Sequence, residues 1–472
     1  LRYCREDCET IYAGKKAAKH TFEQEDINEL LVERARAGAH VVRLKGGDPF
    51  IFGRGGEEAL YLAERGIAFS VVSGITAAVA AAAYAGIPLT HRKITSTVAL
   101  ITGHEDPTKS ESAVDWEDIA KAAGTLVFYM GVKNLPNISR RLIELGRDPG
   151  EPVALVRWGT LERQQTLTAT LETVAERAAE AGFRPPAVLV VGQVVQLRES
   201  LRWFDSRPLF GRGSVVTRSS ALSAGLILRL RELGAETVEF PTLSVAALDD
   251  FTALENAISH LGEYSCVAFT SVQSAEAFFE RLFALGRDAR ALASCRVAAF
   301  GSRTIEQLRA FGVVADMTPR RFDSPDWTRE LAQTDGTLEG KRILIPGSRR
   351  ERYSPAGELE ALGARVERVP VYNTVCPEYP REEVEKLLED PPDLFTFVSP
   401  AAVRNLVHIM ESAGLARAVG TVKAAVIGPV TRETAKASGM EVAVEAKDYT
   451  TSGLLDCLER YFNPEPAIDR HI

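Results

Sequence analysis

Residues 43–58 read RLKGGDPFIFGRGGEE, and this stretch decides how the first part of the chain is interpreted. An apolar run precedes it, two glycines and Asp48 follow, and further glycines lead toward a helix. Glycine at the end of a strand lets the backbone approach a ligand closely, and strand ends form the binding crevice of open α/β sheets. The spacing matches neither the Rossmann nor the P-loop pattern. The stretch therefore predicts either a different kind of ligand-binding loop or a plain turn before a capped helix.

Short β-branched runs alternate with Ala- and Glu-rich segments on both sides of this stretch. The predicted strands are residues 40–44, 69–72, 98–101, 126–129, 153–156 and 188–191. Apolar runs of this length bounded by Gly or Pro are typical of strands buried on both faces. Helical segments between them indicate an α/β fold. The Ala-rich run at residues 77–85 predicts a packed helix and is too short to span a membrane.

Composition narrows the class of protein. The 472 residues suggest two or three domains. Acidic residues (64) outnumber basic ones (56), which argues against nucleic acid as the main partner. Leu1–Asp7 has no apolar core, so we expect no signal peptide, and the six cysteines are expected to be reduced thiols in the cytoplasm. His91 and His104 lack a third ligand at fixed spacing, so we expect no metal site.

The chain changes character near residue 208, where Pro, Gly and charged residues cluster. We expect one domain over residues 1–207 and a second over 208–472. The second part repeats itself: three motifs recur in one order at nearly constant spacing, Gly234 as Gly363, Ser271 as Ser399 and Gly301 as Gly428. Such a repeat predicts two similar lobes with a cleft between them, which is a natural place for a ligand.

Five motifs of the first part occur together: RLKGGDPF at 43–50, GITA at 74–77, YAGIPLTHR at 84–92, FYMG at 128–131 and PAVLVVG at 186–192. Together they resemble the tetrapyrrole methylase family, most closely its uroporphyrinogen-III C-methyltransferases, over residues 10–205. The resemblance implies that S-adenosylmethionine binds between two α/β lobes. The residues that match its binding positions are Gly46, Gly47, Asp48, Ile51, Thr76, Ala77, Met130, Gly159 and Ala187.

The same resemblance implies the remaining parts of a methylase site. Lys15 matches the active-site lysine of the family and is expected to act as an acid or base. The family's substrate is a polycarboxylate, so the candidate anchors are Arg43, Lys45, Arg54, His91 and Arg92. The competing interpretation of each is a solvated residue on the surface. We also expect a homodimer through this domain. The family's first strand, cofactor loop and acidic catalytic residue do not occur before Gly14. Either further residues precede Leu1 in the full protein, which we expect because the other motifs are kept, or the methylase half is impaired.

Hydroxyl-bearing residues follow the predicted strands of the second part. Their pattern, FTS at 269–271, GSRT at 301–304, VYNT at 371–374, FVSP at 397–400 and IGPVT at 427–431, resembles the uroporphyrinogen-III synthase family over residues 211–460. The resemblance implies a first lobe of residues 211–241 plus 376–472 and a second of 246–369.

The synthase resemblance also assigns roles to individual hydroxyls. We expect Tyr372 to assist departure of the substrate hydroxyl, and Ser271, Ser399 and Thr431 to position its carboxylates. The competing interpretation makes the Ser and Thr residues plain helix caps and Tyr372 a packing residue.

The two resemblances fit consecutive reactions. The predicted function is a bifunctional enzyme that cyclises hydroxymethylbilane to uroporphyrinogen III and then methylates it with S-adenosylmethionine at C2 and C7, giving precorrin-2 for sirohaem or cobalamin synthesis. The alternative is a methylase of a later corrin intermediate joined to a non-catalytic, two-lobed tetrapyrrole-binding module.

Overall fold

The computed structural model describes residues 4–5, 7–13, 22–103, 115–218, 220–318, 337–349, 356–389 and 391–463. The chain forms two compact units: Leu1–Arg212 with Leu230–Glu236, and Gly213–Arg229 with Thr237–Ile472. No helix in the described part is long and apolar enough to cross a membrane. Each unit combines β-sheets with α-helices, which confirms the predicted α/β fold class.

The first unit contains a five-stranded mixed sheet. Its strands are β1 (Val98–Thr102), β2 (Thr125–Tyr129), β3 (Pro152–Arg157), β4 (Gln165–Thr170) and β5 (Ala187–Val191), in the order β1-β2-β5-β3-β4. β1 and β2 are parallel, whereas β5 is antiparallel to both β2 and β3. Leu126, Phe128, Val153 and Leu155 are fully buried in this sheet, as expected for β-branched and aromatic runs covered on both faces.

The predicted strands at residues 40–44 and 69–72 are not formed among the described residues of the first unit. Both runs have the right composition, but neither has a hydrogen-bonded neighbour in the sheet. Val42 is 75% exposed and Val72 is 85% exposed. The prediction of strands here was wrong because β-propensity favours an extended chain, and only pairing with another strand makes a ladder.

Helices surround the sheet of the first unit. They are α1 (Gln24–Arg36), α2 (Gly55–Ala63), α3 (Ala77–Tyr84), α4 (Trp116–Ala122), α5 (Leu135–Glu144), α6 (Val174–Glu180) and α7 (Arg198–Leu201). The predicted Ala-rich helix is α3, and it buries Ala78 and Ala82 completely. Tyr84 at its end packs against Trp203 and Phe204, with ring centroids 5.1 and 4.6 Å away.

The second unit contains two five-stranded sheets. One is ordered β15-β14-β13-β6-β7 and the other β10-β9-β11-β12-β8. The strands are β6 (Gly213–Val216), β7 (Glu236–Glu239), β8 (Ser244–Ala246), β9 (Cys266–Phe269), β10 (Arg296–Ala299), β11 (Arg342–Ser348), β12 (Arg365–Val375), β13 (Leu394–Phe397), β14 (Lys423–Val426) and β15 (Glu441–Glu445). The helices are α8 (Ser220–Glu232), α9 (Thr252–Ser259), α10 (Val272–Ala284), α11 (Ser302–Ala310), α12 (Ala356–Ala361), α13 (Arg381–Glu389), α14 (Pro400–Ser412), α15 (Pro429–Ala437) and α16 (Thr451–Phe462).

Strand order confirms the internal repeat. The run β14-β13-β6-β7 of one sheet corresponds to β10-β9-β11-β12 of the other. The neighbouring pairs β13–β14 and β9–β10 are parallel in both. At the edge of the sheet that contains β9 and β11, β12 pairs antiparallel with β8, matching Thr374 with Val245. Tyr372 lies on β12, immediately before the three residues that pair with β8.

Candidate functional site

Asp48 connects two loops of the first unit. One of its carboxylate oxygens accepts the Phe50 N–H at 2.8 Å, closing a tight turn within its own loop. The other accepts the Gly74 N–H at 3.0 Å, across 26 positions of the sequence. A single carboxylate therefore shapes the glycine-rich loop and fastens it to the loop that leads into α3.

Glycine is required where these two loops meet. A Cβ atom on Gly74 would lie 2.1 Å from the Gly47 carbonyl oxygen, so the backbones touch directly. Gly47 itself has φ +73°, a conformation that side chains other than glycine rarely adopt. Gly46 differs, because a Cβ there would meet nothing within 4 Å, and it borders a cleft of about 420 Å³. The two glycines that follow Lys45 therefore differ in role. Gly47 allows the close backbone contact with Gly74, and Gly46 leaves open space beside the cleft.

Tyr129 joins the start of α3 to the end of β2. Its hydroxyl lies 2.5 Å from the Thr76 hydroxyl and accepts the Ala78 N–H at 3.1 Å. It supplies the acceptor that a helix N-terminus lacks, a role usually filled by the N-cap side chain. Its ring packs against Phe52, with centroids 4.9 Å apart. Sequence reasoning did not select Tyr129; its place in FYMG was the available signal.

The other predicted cofactor residues lie at the same end of the sheet. Met130 follows Tyr129 with φ +54° and is 55% exposed. Ala187 begins β5 and pairs with Arg157, beside the pair formed by Val188 and Tyr129. A Cβ on Gly159 would lie 2.7 Å from the Ala81 Cβ, so Gly159 packs against α3. The loops that carry Asp48, Thr76 and Met130 therefore converge, as the sequence predicts for one site.

The predicted anchors Arg43 and Lys45 already have an acidic partner. Lys45 Nζ lies 2.8 and 2.9 Å from the two carboxylate oxygens of Glu58, and Arg43 Nε lies 3.4 Å from one of them. Burial alone would raise the pKa of Glu58. The hydrogen bonds from Lys45 and Gln24, with the charges of Lys45 and Arg43, instead bring that pKa below its ordinary value.

The remaining predicted residues of this unit are more scattered. Arg54 pairs with Glu57 at 2.6 Å, and this hydrogen bond raises the pKa of Arg54. His91 and Arg92 lie in a turn closed by the His91 N–H to the Thr95 carbonyl. Thr95 packs against Gly124, just before β2 begins, whereas Tyr129 ends that strand. The structure thus does not bring this turn to the end of the sheet that carries Tyr129. Lys15 lies outside the described residues.

A cleft of about 230 Å³ lies in the second unit at the junction of its two sheets. Its lining consists of hydroxyl-bearing and apolar residues, one amide and one cationic side chain: Thr217, Arg218, Leu243, Ser244, Val245, Gln273, Tyr372, Thr374, Val398, Ser399 and Ala402. Burial, together with the like charge of Arg303, lowers the pKa of Arg218. Sequence reasoning did not select Arg218 or Thr374, although Thr374 is the last residue of the quoted motif VYNT and Arg218 lies two residues after β6.

Ser271 and Ser399 occupy equivalent positions in the two lobes. Each caps the helix that follows its strand: the Ser271 hydroxyl accepts the Ser274 N–H at 3.1 Å, and that of Ser399 accepts the Ala402 N–H at 3.2 Å. In the part of the chain that the structure describes, Ser271 also lies near a tyrosine hydroxyl, that of Tyr372 at 3.5 Å, and Ser399 has no such contact. Thr431 is 3% exposed within the first turn of α15. The capping interpretation therefore holds for both serines, and their proposed substrate contacts stay predictions.

Two family models match the chain. Residues 1–175 match tetrapyrrole (corrin/porphyrin) methylases, and residues 225–456 match uroporphyrinogen-III synthase HemD. A porphyrin biosynthesis protein HemD of Ruminiclostridium josui is 35% identical over 451 residues, 95% of this chain and 88% of that protein. A uroporphyrinogen-III C-methyltransferase of Bacillus subtilis (strain 168) is 47% identical over 206 residues, 44% of this chain and 80% of that protein.

A solved structure gives a further comparison. The uroporphyrin-III C-methyltransferase of Thermus thermophilus, solved with S-adenyl homocysteine, is 40% identical, with a TM-score of 0.34, over 40% of this chain and 78% of that one. The relative from Ruminiclostridium josui spans nearly the whole chain, and the two family models divide it between them. The chain therefore belongs to the porphyrin biosynthesis proteins that join a tetrapyrrole methylase domain to a uroporphyrinogen-III synthase domain.

Proposed function

We propose that this chain catalyses two consecutive steps of tetrapyrrole synthesis. Its second unit cyclises hydroxymethylbilane to uroporphyrinogen III, and its first unit methylates that product at C2 and C7 to give precorrin-2. The observation that carries the proposal is the convergence of three loops, through Asp48 with Gly74 and Thr76 with Tyr129, in the unit that matches the methylase family.

The residues of the first unit fit S-adenosylmethionine as cofactor. Gly46 has open space beside its α-carbon at the border of a cleft, which gives a ligand access to the backbone. Gly46, Gly47, Asp48, Ile51, Thr76, Ala77, Met130, Gly159 and Ala187 would hold it. The cofactor, when bound, supplies an electrophilic methyl group to a nucleophilic carbon.

This chain's own contribution to methyl transfer is chiefly positioning. Transfer between two bound partners gains most from fixed distance and alignment, and the loops around Asp48 and Tyr129 are fixed by tight backbone contacts. Arg43 and Arg54 would bind carboxylates of the macrocycle, and Lys15 would accept or donate a proton. His91 and Arg92 are left out of this site, because their turn lies near the start of β2 and the site lies at its end. These assignments stay predictions, and so does the expectation that Lys45 anchors the substrate.

The cleft of the second unit fits the demands of cyclisation. Loss of the substrate's hydroxyl gives a reactive intermediate that closes readily, so the enzyme must fix its conformation more than supply a strong acid. The Tyr372 hydroxyl would donate a proton to the departing hydroxyl, which leaves as water, and ring closure with inversion of ring D then releases one proton from the closing carbon. Ser271, Ser399 and Thr431 would position the acetate and propionate groups, with Arg218 adding a positive charge to the cleft.

Further assignments extend the proposal. We divide the chain into a methylase domain over residues 1–207 and a synthase domain over 208–472, with synthase lobes of residues 211–241 plus 376–472 and 246–369. A homodimer through the methylase domain, a cytoplasmic location, and delivery of precorrin-2 to sirohaem or cobalamin synthesis complete it.

The test supplies hydroxymethylbilane to the full chain and separates the product isomers by chromatography, with and without methyl-labelled S-adenosylmethionine. We expect isomer III without the cofactor and a doubly methylated product with it. Isomer I alone from a folded chain would remove the synthase activity. Isomer III without incorporated label, followed by label transfer to a later corrin intermediate, would favour the alternative methylase substrate.

A further inference from the structure

Glu58 is a buried carboxylate that the methylation step does not use. It lies in the first turn of α2 and is 5% exposed. Four donor contacts reach it: two from Lys45 at 2.8 and 2.9 Å, one from Gln24 at 3.1 Å and one from Arg43 at 3.4 Å. A buried carboxylate is costly unless it is paired and hydrogen-bonded, so this cluster is a defined arrangement of charges rather than a surface ion pair.

The position of Glu58 matters because of what lies between its partners. Lys45 immediately precedes the glycine-rich loop of residues 46–54, and Glu58 belongs to the helix that follows that loop. The Lys45–Glu58 pair therefore joins the beginning of the loop to its end. Inside the loop the Gly55 N–H donates to the Pro49 carbonyl at 2.9 Å, and Asp48 fastens the loop to Gly74. The loop is thus held at its two ends by the Lys45–Glu58 pair, which we call its base, and within the loop by the bond from Gly74 to Asp48.

The cluster separates the two cations that the sequence grouped as substrate anchors. The Lys45 side chain is 14% exposed and makes its contacts to both Glu58 oxygens. The Arg43 side chain is 31% exposed and reaches Glu58 only through the longer 3.4 Å contact. Both residues border the cleft, but Lys45 makes the two short contacts with Glu58, whereas Arg43 is more exposed and makes one long contact.

We propose that Glu58 is a positioning residue for the cofactor, acting through Lys45 to fix the base of the glycine-rich loop, and that Lys45 serves this clamp instead of binding the tetrapyrrole. The proposal rests on the proposed methylase function, because the loop matters only if Gly46, Gly47 and Asp48 contact S-adenosylmethionine. Loosening the base moves the backbone groups that bind the cofactor and leaves the macrocycle's carboxylate contacts in place.

The test compares Glu58→Gln with Glu64→Gln in the full chain. Glu64 ends the same helix and its side chain is exposed, so the second variant makes the same chemical change outside the cluster. We expect Glu58→Gln to weaken the binding of S-adenosylhomocysteine, measured by calorimetry, about tenfold. We expect it to raise KM for the methyl donor by a similar factor. We expect kcat and KM for uroporphyrinogen III to stay within about threefold of the parent, and Glu64→Gln to match the parent.

The KM-against-kcat split distinguishes positioning from a merely structural role. A structural role would lower kcat in proportion to the folded fraction and leave KM for the methyl donor unchanged, which would overturn the proposal. Lys45→Gln gives an independent test should Glu58→Gln fold poorly. The clamp predicts a higher KM for the methyl donor, whereas a higher KM for uroporphyrinogen III alone would show Lys45 to be a substrate anchor and overturn it.

The outcome is separable from the proposed function. If the parent chain binds no S-adenosylhomocysteine and methylates no tetrapyrrole, the methylase function fails and the clamp fails with it. If the parent is active and Glu58→Gln, folded by its melting curve, binds the cofactor as tightly as the parent, only the clamp fails.

Discussion

The two candidate sites of this chain are built from different materials. The site in the first unit depends on glycine backbones in contact and on a buried carboxylate with two cations. The cleft in the second unit depends on hydroxyls, and among the described residues that line it Arg218 is the one charged side chain. In the first arrangement two loops are in direct backbone contact, whereas the second offers several hydrogen-bonding side chains around a cleft.

This difference fits the chemistry proposed for each site. Methyl transfer needs a donor, a methyl group and an acceptor held in line, so small displacements are costly. Cyclisation of a reactive intermediate needs its long chain held in one conformation, which several moderate contacts can achieve together. Substitutions in the first site should therefore produce abrupt losses, and substitutions in the second should produce graded ones.

The largest effect is expected for Gly74→Ala. Its Cβ would lie 2.1 Å from the Gly47 carbonyl oxygen, so the loops must separate, at a strain of roughly 3 kcal/mol. We expect about a 100-fold loss of S-adenosylhomocysteine affinity by calorimetry and retained isomer III formation. Gly56→Ala is the control, because a Cβ there meets nothing within 4 Å. Equal binding by Gly74→Ala and the parent would show that the loop contact does not shape the cofactor site.

A smaller effect is expected for Tyr372→Phe in the second site. Loss of the hydroxyl removes the proton donor for a leaving group that departs readily, so we expect isomer III formation to slow about tenfold. The measurement is the initial rate with separation of the isomers. Tyr379→Phe is the matched control, because its hydroxyl donates to the Pro241 carbonyl at 2.8 Å outside the cleft lining. An unchanged rate for Tyr372→Phe would assign Tyr372 to packing.

The serine pair sharpens the comparison within the second unit. Ser271→Ala and Ser399→Ala each remove an equivalent helix cap, and each should lower the free energy of unfolding by about 1 kcal/mol. Both serines are close to Tyr372, but of these two described residues Ser271 is the one whose hydroxyl lies within 3.5 Å of the Tyr372 hydroxyl. We therefore expect Ser271→Ala to slow turnover about threefold more than Ser399→Ala does. Denaturant unfolding and initial rates measure the two effects. Equal turnover by both variants would restrict Ser271 to its capping role.

The smallest effect concerns acid stability. The pKa of Glu58 lies below its ordinary value of 4.5 in the folded chain, so its ionised form stabilises the fold. That contribution is complete above the ordinary pKa and is lost as the pH falls through the lowered one. We expect the melting temperature of the first unit to fall on acidification below about pH 4.5, and Glu58→Gln to flatten this dependence. The same slope in parent and variant would show that other carboxylates control acid unfolding.

Local patterns of sequence predicted the elements that depend on near neighbours. The runs at 98–101, 126–129, 153–156 and 188–191 became β1, β2, β3 and β5. The strands β2, β3 and β5 are buried almost throughout, as expected of apolar runs, whereas the edge strand β1 is only partly buried. The runs at 40–44 and 69–72 have similar composition and did not become strands among the described residues. A strand forms only when two segments of the chain pair with each other, and the composition of one segment does not show whether a partner segment is present.

The sequence by itself determined the α/β class, the internal repeat and the loops that carry Asp48, Thr76 and Met130, because repeats and glycine-containing motifs are recognisable from the local order of residues. Tertiary structure alone decided that Tyr129 caps α3, that Glu58 takes up Lys45 and that the His91 turn lies toward the start of β2. Each of these depends on contacts between residues distant in the sequence: Lys45 and Glu58 are 13 positions apart, and Ala78 and Tyr129 are 51 positions apart. Such contacts are set by how the elements pack, and residue order within a motif does not encode them.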